Sequence, residues 1–184
     1  AVSLQVAPEV SAPAPATPTN PPSQWAIEEF LTPAHIGQES WDRYKIAERI
    51  RKGEFERSLI GNTIVFYYQR KIGDVYIEGD FLNYQFMANT GDFVKKIEIW
   101  RDIDESAMPQ VQIAEADLER IVGQHVSGNI EKSRLFLLRP DSASCPVTDY
   151  DAPHWLSIVR GQHSIMVATN AVTGKFVSIC GPVH

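Results

Sequence analysis

A short phrase occurs twice in this 184-residue chain. Tyr84 to Val94 and Ile165 to Val177 each read as an alternating strand, a turn, and a second strand that opens Phe-Val. The turns are Asn89-Thr90-Gly91-Asp92 and Val172-Thr173-Gly174-Lys175. Glycine supplies the positive φ that a tight hairpin requires, so Thr-Gly before a charged residue is a hairpin signal. The copies lie about 83 residues apart, a spacing that predicts an internal duplication. A duplicated hairpin favours a repeated binding scaffold over a single catalytic pocket.

Each hairpin is preceded by a helical pattern and further strands. Ser40 is placed to cap a helix over Trp41 to Arg51, with Trp41, Tyr44, Ala47 and Ile50 along one face. From Thr63 the period shifts to two, rich in β-branched and aromatic residues. Turns are expected at Ile72-Gly73-Asp74 and Glu78-Gly79-Asp80, with strands over Val75 to Ile77, Phe81 to Ala88 and Phe93 to Trp100. A polar connector, Asp102 to Pro109, leads to a second helix over Glu115 to Val126. Strands then follow at Leu135 to Leu138, Trp155 to Val159, Ser164 to Thr169 and Lys175 to Cys180. The expected fold is α+β, two similar units of a helix packed on a twisted antiparallel sheet. The first unit spans 25–105, opening on an apolar segment at Trp25, Ile27, Phe30 and Leu31, and the second spans 106–184.

Residues 1–24 hold six of the twelve prolines, and Glu9 is their only charge. Such a segment is read either as an ordinary disordered terminus or as a stalk that spaces a folded module from a surface anchor. The chain opens at Ala1, as expected of a mature or trimmed product. Its net charge of −6 argues against nucleic acid, whose phosphates require surplus Lys and Arg. No apolar run approaches the length of a membrane span. Cys145 and Cys180 fit one disulfide of an exported protein, closing a loop of about 35 residues; two unpaired thiols are the alternative.

The helix, the antiparallel strands and the late Thr-Gly turn resemble the PepSY domain of exported proteins and of thermolysin-type protease propeptides. Asn62 to Trp100 carries the closer likeness, through Tyr67-Tyr68-Gln69-Arg70, Val75-Tyr76-Ile77-Glu78-Gly79-Asp80 and the first hairpin. Glu115 to Cys180 keeps the helix and the hairpin but inserts a cysteine-containing loop. The resemblance implies a cystatin/PepSY-like, noncatalytic module outside the cytoplasm: extracellular, periplasmic or on the cell surface. It carries no catalytic residue and no cofactor.

Direct inspection finds no site for chemistry either. His35, His125, His154, His163 and His184 occur at none of the spacings that place two imidazoles on one metal. His125 is read as a core histidine of the second helix, and His154 and His163 flank one strand. Asp149-Tyr150-Asp151 reads as a solvated turn before a cation site. The aromatics are more informative. Tyr67, Tyr68, Tyr76, Tyr84 and Trp100 crowd the first sheet, and those not buried are candidate contacts for a protein or peptide partner. That surface is therefore expected on the first copy. The leading reading is a binding module, including restraint of an extracellular protease. The alternatives are a propeptide-like folding chaperone and an enzyme on a cystatin-like fold.

Overall fold

The computed structural model describes residues 26–142 and 145–182; the tail, Trp25 and His184 lie outside them. Four short helices open the described chain: α1 (Ile27–Phe30), α2 (Pro33–Ile36), α3 (Gln38–Arg43) and α4 (Ile46–Arg51). Strands β1 (Glu56–Ile60), β2 (Thr63–Ile72), β3 (Val75–Met87) and β4 (Phe93–Ile99) follow. A connector and a 3-10 turn (Glu115–Asp117) lead into α5 (Leu118–Val122). The chain closes with β5 (Asn129–Leu137), β6 (His154–Arg160), β7 (Ser164–Asn170) and β8 (Phe176–Pro182).

The fold is α+β, with few helices and one eight-stranded, mostly antiparallel sheet. Neighbours pair as antiparallel hairpins within β1–β4 and again within β5–β8. The two runs meet on β3. Its outer edge pairs β4 over Phe81 to Phe86, and β5, in parallel, over Tyr76 and Ile77. The switch between partners falls at the expected Glu78-Gly79-Asp80 turn, which is instead an irregularity inside one long strand. Gly79 has φ +77°, and a Cβ there would meet the Arg139 side chain at 2.8 Å, so only glycine fits. Gln69 Nε2 donates to the carbonyls of Ile77 (2.6 Å) and Asp80 (3.0 Å), satisfying backbone that the ladder abandons.

The two Thr-Gly hairpins are built alike. Gly91 N donates to the Met87 carbonyl (2.8 Å) and Met87 N to that of Asp92 (2.9 Å); Gly174 to Asn170 (2.9 Å) and Asn170 to Lys175 (2.9 Å) repeat the pattern. Gly91 and Gly174 have φ +76° and +72°. The likeness extends into the strands. The β3–β4 register steps from Gln85↔Lys95 to Phe86↔Phe93, and the β7–β8 register from Ala168↔Ser178 to Thr169↔Phe176.

The helices depart from expectation. The helix over Trp41 to Arg51 is broken into α3 and α4 by Lys45, whose φ of 52° is left-handed. Ser40 is no cap. It is buried inside α3, where it donates to Glu98 Oε2 (3.0 Å). The second helix is a single 3-10 and α turn that ends at Val122. Strand β1 escaped the sequence reading because Glu56-Arg57-Ser58 lies mostly exposed and shows no apolar alternation.

Helices α1–α4 cover one face of β1–β4. Ile64, Phe66, Leu82, Tyr84 and Phe86 are fully buried there, beneath Phe30, Leu31, Ile36 and Ile46. Aromatic edges join the layers, with Phe30 5.6 Å from Phe66 and 5.3 Å from Phe86 between ring centroids. On the same face of β5–β8, α5 packs Val122 on Val159 and Val167, and the connector lays Ile103 and Met108 on Ile77 and Leu137.

Candidate functional site

Strand alternation sends the other half of the side chains to a face that no helix covers. Tyr67, Gln69 and Lys71 of β2 stand there beside Asn83, Phe81 and Tyr76 of β3, their cross-strand partners. Lys132, Arg134 and Phe136 of β5 stand opposite Ile158, Leu156 and His154 of β6 on the same side. Two ring pairs lie along this face, Tyr67 with Phe81 at 5.6 Å and Tyr76 with Phe136 at 5.4 Å.

The five candidate aromatics therefore divide. Tyr68 and Tyr84 belong to the helix-covered core, and Trp100 is packed against it. Trp100 serves as internal glue: Tyr68 stacks on it at 6.3 Å, and the guanidiniums of Arg70 and Arg49 sit 4.6 and 5.5 Å from it. Burial, and then the neighbouring Glu98, raise the Tyr84 phenol far above its ordinary value, so it remains a donor to Glu98 Oε1 (3.0 Å). Tyr67 and Tyr76, both half-buried, occupy the uncovered face.

On the β5–β8 half, that face is partly roofed by the chain between β5 and β6. Cys145 and Cys180 lie at disulfide bonding distance, with Cα atoms 4.4 Å apart, and tie this roof to β8. Val147 and Leu138 pack beneath it on Leu156 and Ala168. The roof's near end is fastened to β3. Arg139 N (2.8 Å) and Ser142 Oγ (2.7 Å) donate to the Glu78 carboxylate. Its far end is locked by a polar triad. His154, fully buried, bonds Asp149 Oδ1 through Nε2 (3.1 Å), and Asn170 Nδ2 donates to Asp149 Oδ2. Asn170 Oδ1 in turn accepts from the backbone N–H groups of Val172 (2.9 Å) and Thr173 (2.8 Å) in the second hairpin. Burial pushes the Asp149 carboxyl up, but the Asn170 bond and the nearby His154 outweigh it and hold the group below its usual value. The triad fastens the roof to the second hairpin.

Between roof and sheet lies an apolar groove of about 340 Å³, floored by Phe136, Leu156, Ile158 and Met166. Leu138 forms its roof wall, and Lys132 and Arg134 form the other. Beside it, Lys71 Nζ sits 4.3 Å and Arg134 Cζ 5.4 Å from the centre of the Tyr76 ring. Among the described residues, Lys71, Lys132 and Arg134 have no carboxylate within ion-pair distance. Three unpaired cations around one groove are notable in a chain of net charge −6.

On the helix side, Arg70, Arg101 and Lys96 are engaged. Asp80, fully buried, accepts from Arg70 Nη1 (3.0 Å), Arg101 Nε (2.7 Å) and Arg101 N (2.9 Å), pinning the connector to the irregularity in β3. Lys96 Nζ donates to the Ile36 carbonyl (2.8 Å) and to Ser40 Oγ (2.7 Å) and pairs with Glu98 at 3.6 Å. These bonds brace α2 and α3 against β4. A shallower depression of about 270 Å³ lies among Leu31, Pro33, Trp41, Ala47 and Ile50 on the helix side.

The other histidines are placed singly. His35 donates from Nδ1 to the Phe30 carbonyl (2.7 Å). His125 is not in the core: it is exposed beyond α5 and stacks on Phe176 with ring centres 4.3 Å apart. His154 and His163 stand at opposite ends of β6. Among the described residues no group of three His, Cys, Asp or Glu side chains could hold a metal ion. No described helix is long and apolar enough to cross a membrane.

No protein-family model and no curated protein sequence matches the chain. Among solved structures it is similar to the Bacillus megaterium YpeB C-terminal domain, at 17% identity and a TM-score of 0.39. The likeness covers 77% of this chain and 62% of that one, so the chain spans less than two thirds of that structure.

Proposed function

We propose that the chain is a noncatalytic, exported binding module: two PepSY-like units, 25–105 and 106–184, fused through one sheet. Its uncovered face holds a protein or peptide, and restraint of an extracellular protease is the form of this activity that the PepSY resemblance favours. One observation carries the reading. A preformed apolar groove, walled by a disulfide-tied roof and by cations that have no ion-pair partner among the described residues, lies open on the sheet. Groups already rigid in the free protein lose little entropy on binding, which is what a recognition surface requires. The two-unit division is supported by the repetition of both the hairpin turn and its register step. Export is supported by the cysteine pair.

The test is to incubate the chain with purified extracellular proteases and with cell-surface extracts, then resolve complexes by size-exclusion chromatography while following protease turnover. A stoichiometric complex that slows turnover is expected. Faster refolding of a denatured protease, without inhibition of the folded enzyme, would replace this reading with the chaperone one. Absence of any complex would end it.

A further inference from the structure

The groove's two rows of side chains specify the chemistry of what it binds. On β5, Lys132 and Arg134 form a basic row. On the neighbouring strand β6, Leu156 and Ile158 form an apolar row, with Met166 of β7 on the far side of Ile158. Adjacent strands lie roughly 4.8 Å apart, so the rows run side by side at about that spacing. Neighbouring positions on a helix surface are separated by roughly 5–6 Å. An amphipathic helix can therefore set an apolar stripe along Leu156 and Ile158 while the flank of that stripe meets Lys132 and Arg134. Resting on the binding-module reading, we infer that the groove docks an amphipathic acidic helix of a partner protein, with carboxylates on one flank of its apolar stripe.

Charge complementarity fixes the sign. The two guanidinium- and ammonium-bearing residues beside the floor are exposed and have no carboxylate partner among the described residues. Lys71 and Arg134 are instead held over the Tyr76 ring, which keeps their charge at the groove mouth. The one carboxylate of the lining, Glu78, is engaged by Arg139 N and Ser142 Oγ of the roof. A basic helix would thus meet two like charges on one wall, while the single carboxylate on the other already accepts two hydrogen bonds from the roof. The roof fixes the second wall through Leu138, which is buried beneath it.

The test uses the whole chain and a synthetic helical peptide with a Leu/Phe stripe flanked by Glu, compared with the same peptide carrying Lys for Glu. Binding is followed by fluorescence anisotropy. The Glu peptide is expected to bind, the Lys peptide to bind at least about tenfold more weakly, and the difference to shrink with added salt. The double variant Lys132→Glu, Arg134→Glu should reverse the preference. Both residues are exposed, so its melting temperature should match the parent and rule out misfolding as the cause. Equal affinity for both peptides, or an unaltered preference in the variant, overturns the inference. The binding-module reading falls separately: a surface or protease complex captured equally by parent and variant leaves that reading standing while the groove assignment fails.

Discussion

The two runs of strands carry nearly the same hairpin but are stabilised in different ways. In β1–β4, four helices lie over the sheet and eleven buried residues form one cluster, six of them Phe or Tyr. In β5–β8, the helical cover is a single α turn, and the buried residues fall into clusters of five and three, with a further cluster of five shared with Val75 and Ile77 of β3. Smaller side chains on both faces of a sheet bury less area each, and stability falls accordingly. What the second run lacks in apolar burial it replaces with fastenings: the Cys145–Cys180 pair and the Asp149–His154–Asn170 triad. The contrast shows why the groove lies where it does. A roof held at a few points leaves a gap between them, and the groove is that gap.

The contrast is open to direct attack. The largest effect is expected from Phe66→Ala, which empties the helix-covered core and should cost about 3–5 kcal/mol in urea unfolding. Val167→Ala on the other run should cost about 2 kcal/mol, from two lost methyl groups and a small cavity. Equal costs would erase the distinction between the runs. Next comes the pair Cys145→Ser, Cys180→Ser. Opening a loop with a sequence separation of 35 should cost roughly 3–4 kcal/mol in the chain-entropy account. Hydrogen exchange should accelerate in β7 and β8 before β2 and β3; uniform acceleration would mean that the bridge braces the whole sheet.

A smaller effect should follow pH. The Asp149 carboxyl is held below its ordinary value in the folded chain, so its contribution is fully present above the unfolded value near 3.8. That contribution is lost as pH falls through the lower, folded value. Asp149→Asn should therefore lower stability at neutral pH, where the contribution is fully present, and flatten the acid limb, so that variant and parent converge at low pH. A variant that tracks the parent down through the acid limb would show that the triad does not depend on charge. The smallest effect is expected from Lys132→Ala, within about 0.5 kcal/mol of the parent, because this cation supports no described ion pair.

Much of this was legible in the sequence, and the omissions have physical causes. The Thr-Gly turns and the β2 alternation were read correctly because both are local: glycine at positive φ and a period of two need no distant partner. The break at Lys45 was not, since a lysine with φ of 52° is chosen by the packing around it. Tyr68 and Tyr84 could not be told from Tyr67 and Tyr76 by type, only by which face the helices cover. The sequence pointed to an aromatic surface on the first copy and gave no sign of the groove on the second, because the groove depends on the pairing of β5 with β3 and β6. One signal was available for the triad. Where the first hairpin begins with Met87, the second begins with Asn170, a polar substitution in an otherwise matching phrase.

The central claim is that the uncovered sheet face is the working surface and the helix-covered face its scaffold. Amide chemical-shift mapping of the labelled chain with the Glu-flanked peptide tests this most directly. The account predicts shifts centred on Tyr76, Lys132, Arg134, Phe136, Ile158 and Met166, with Trp41, Ala47 and Ile50 unmoved. Shifts centred on Trp41, Ala47 and Ile50, with the groove residues silent, would contradict it.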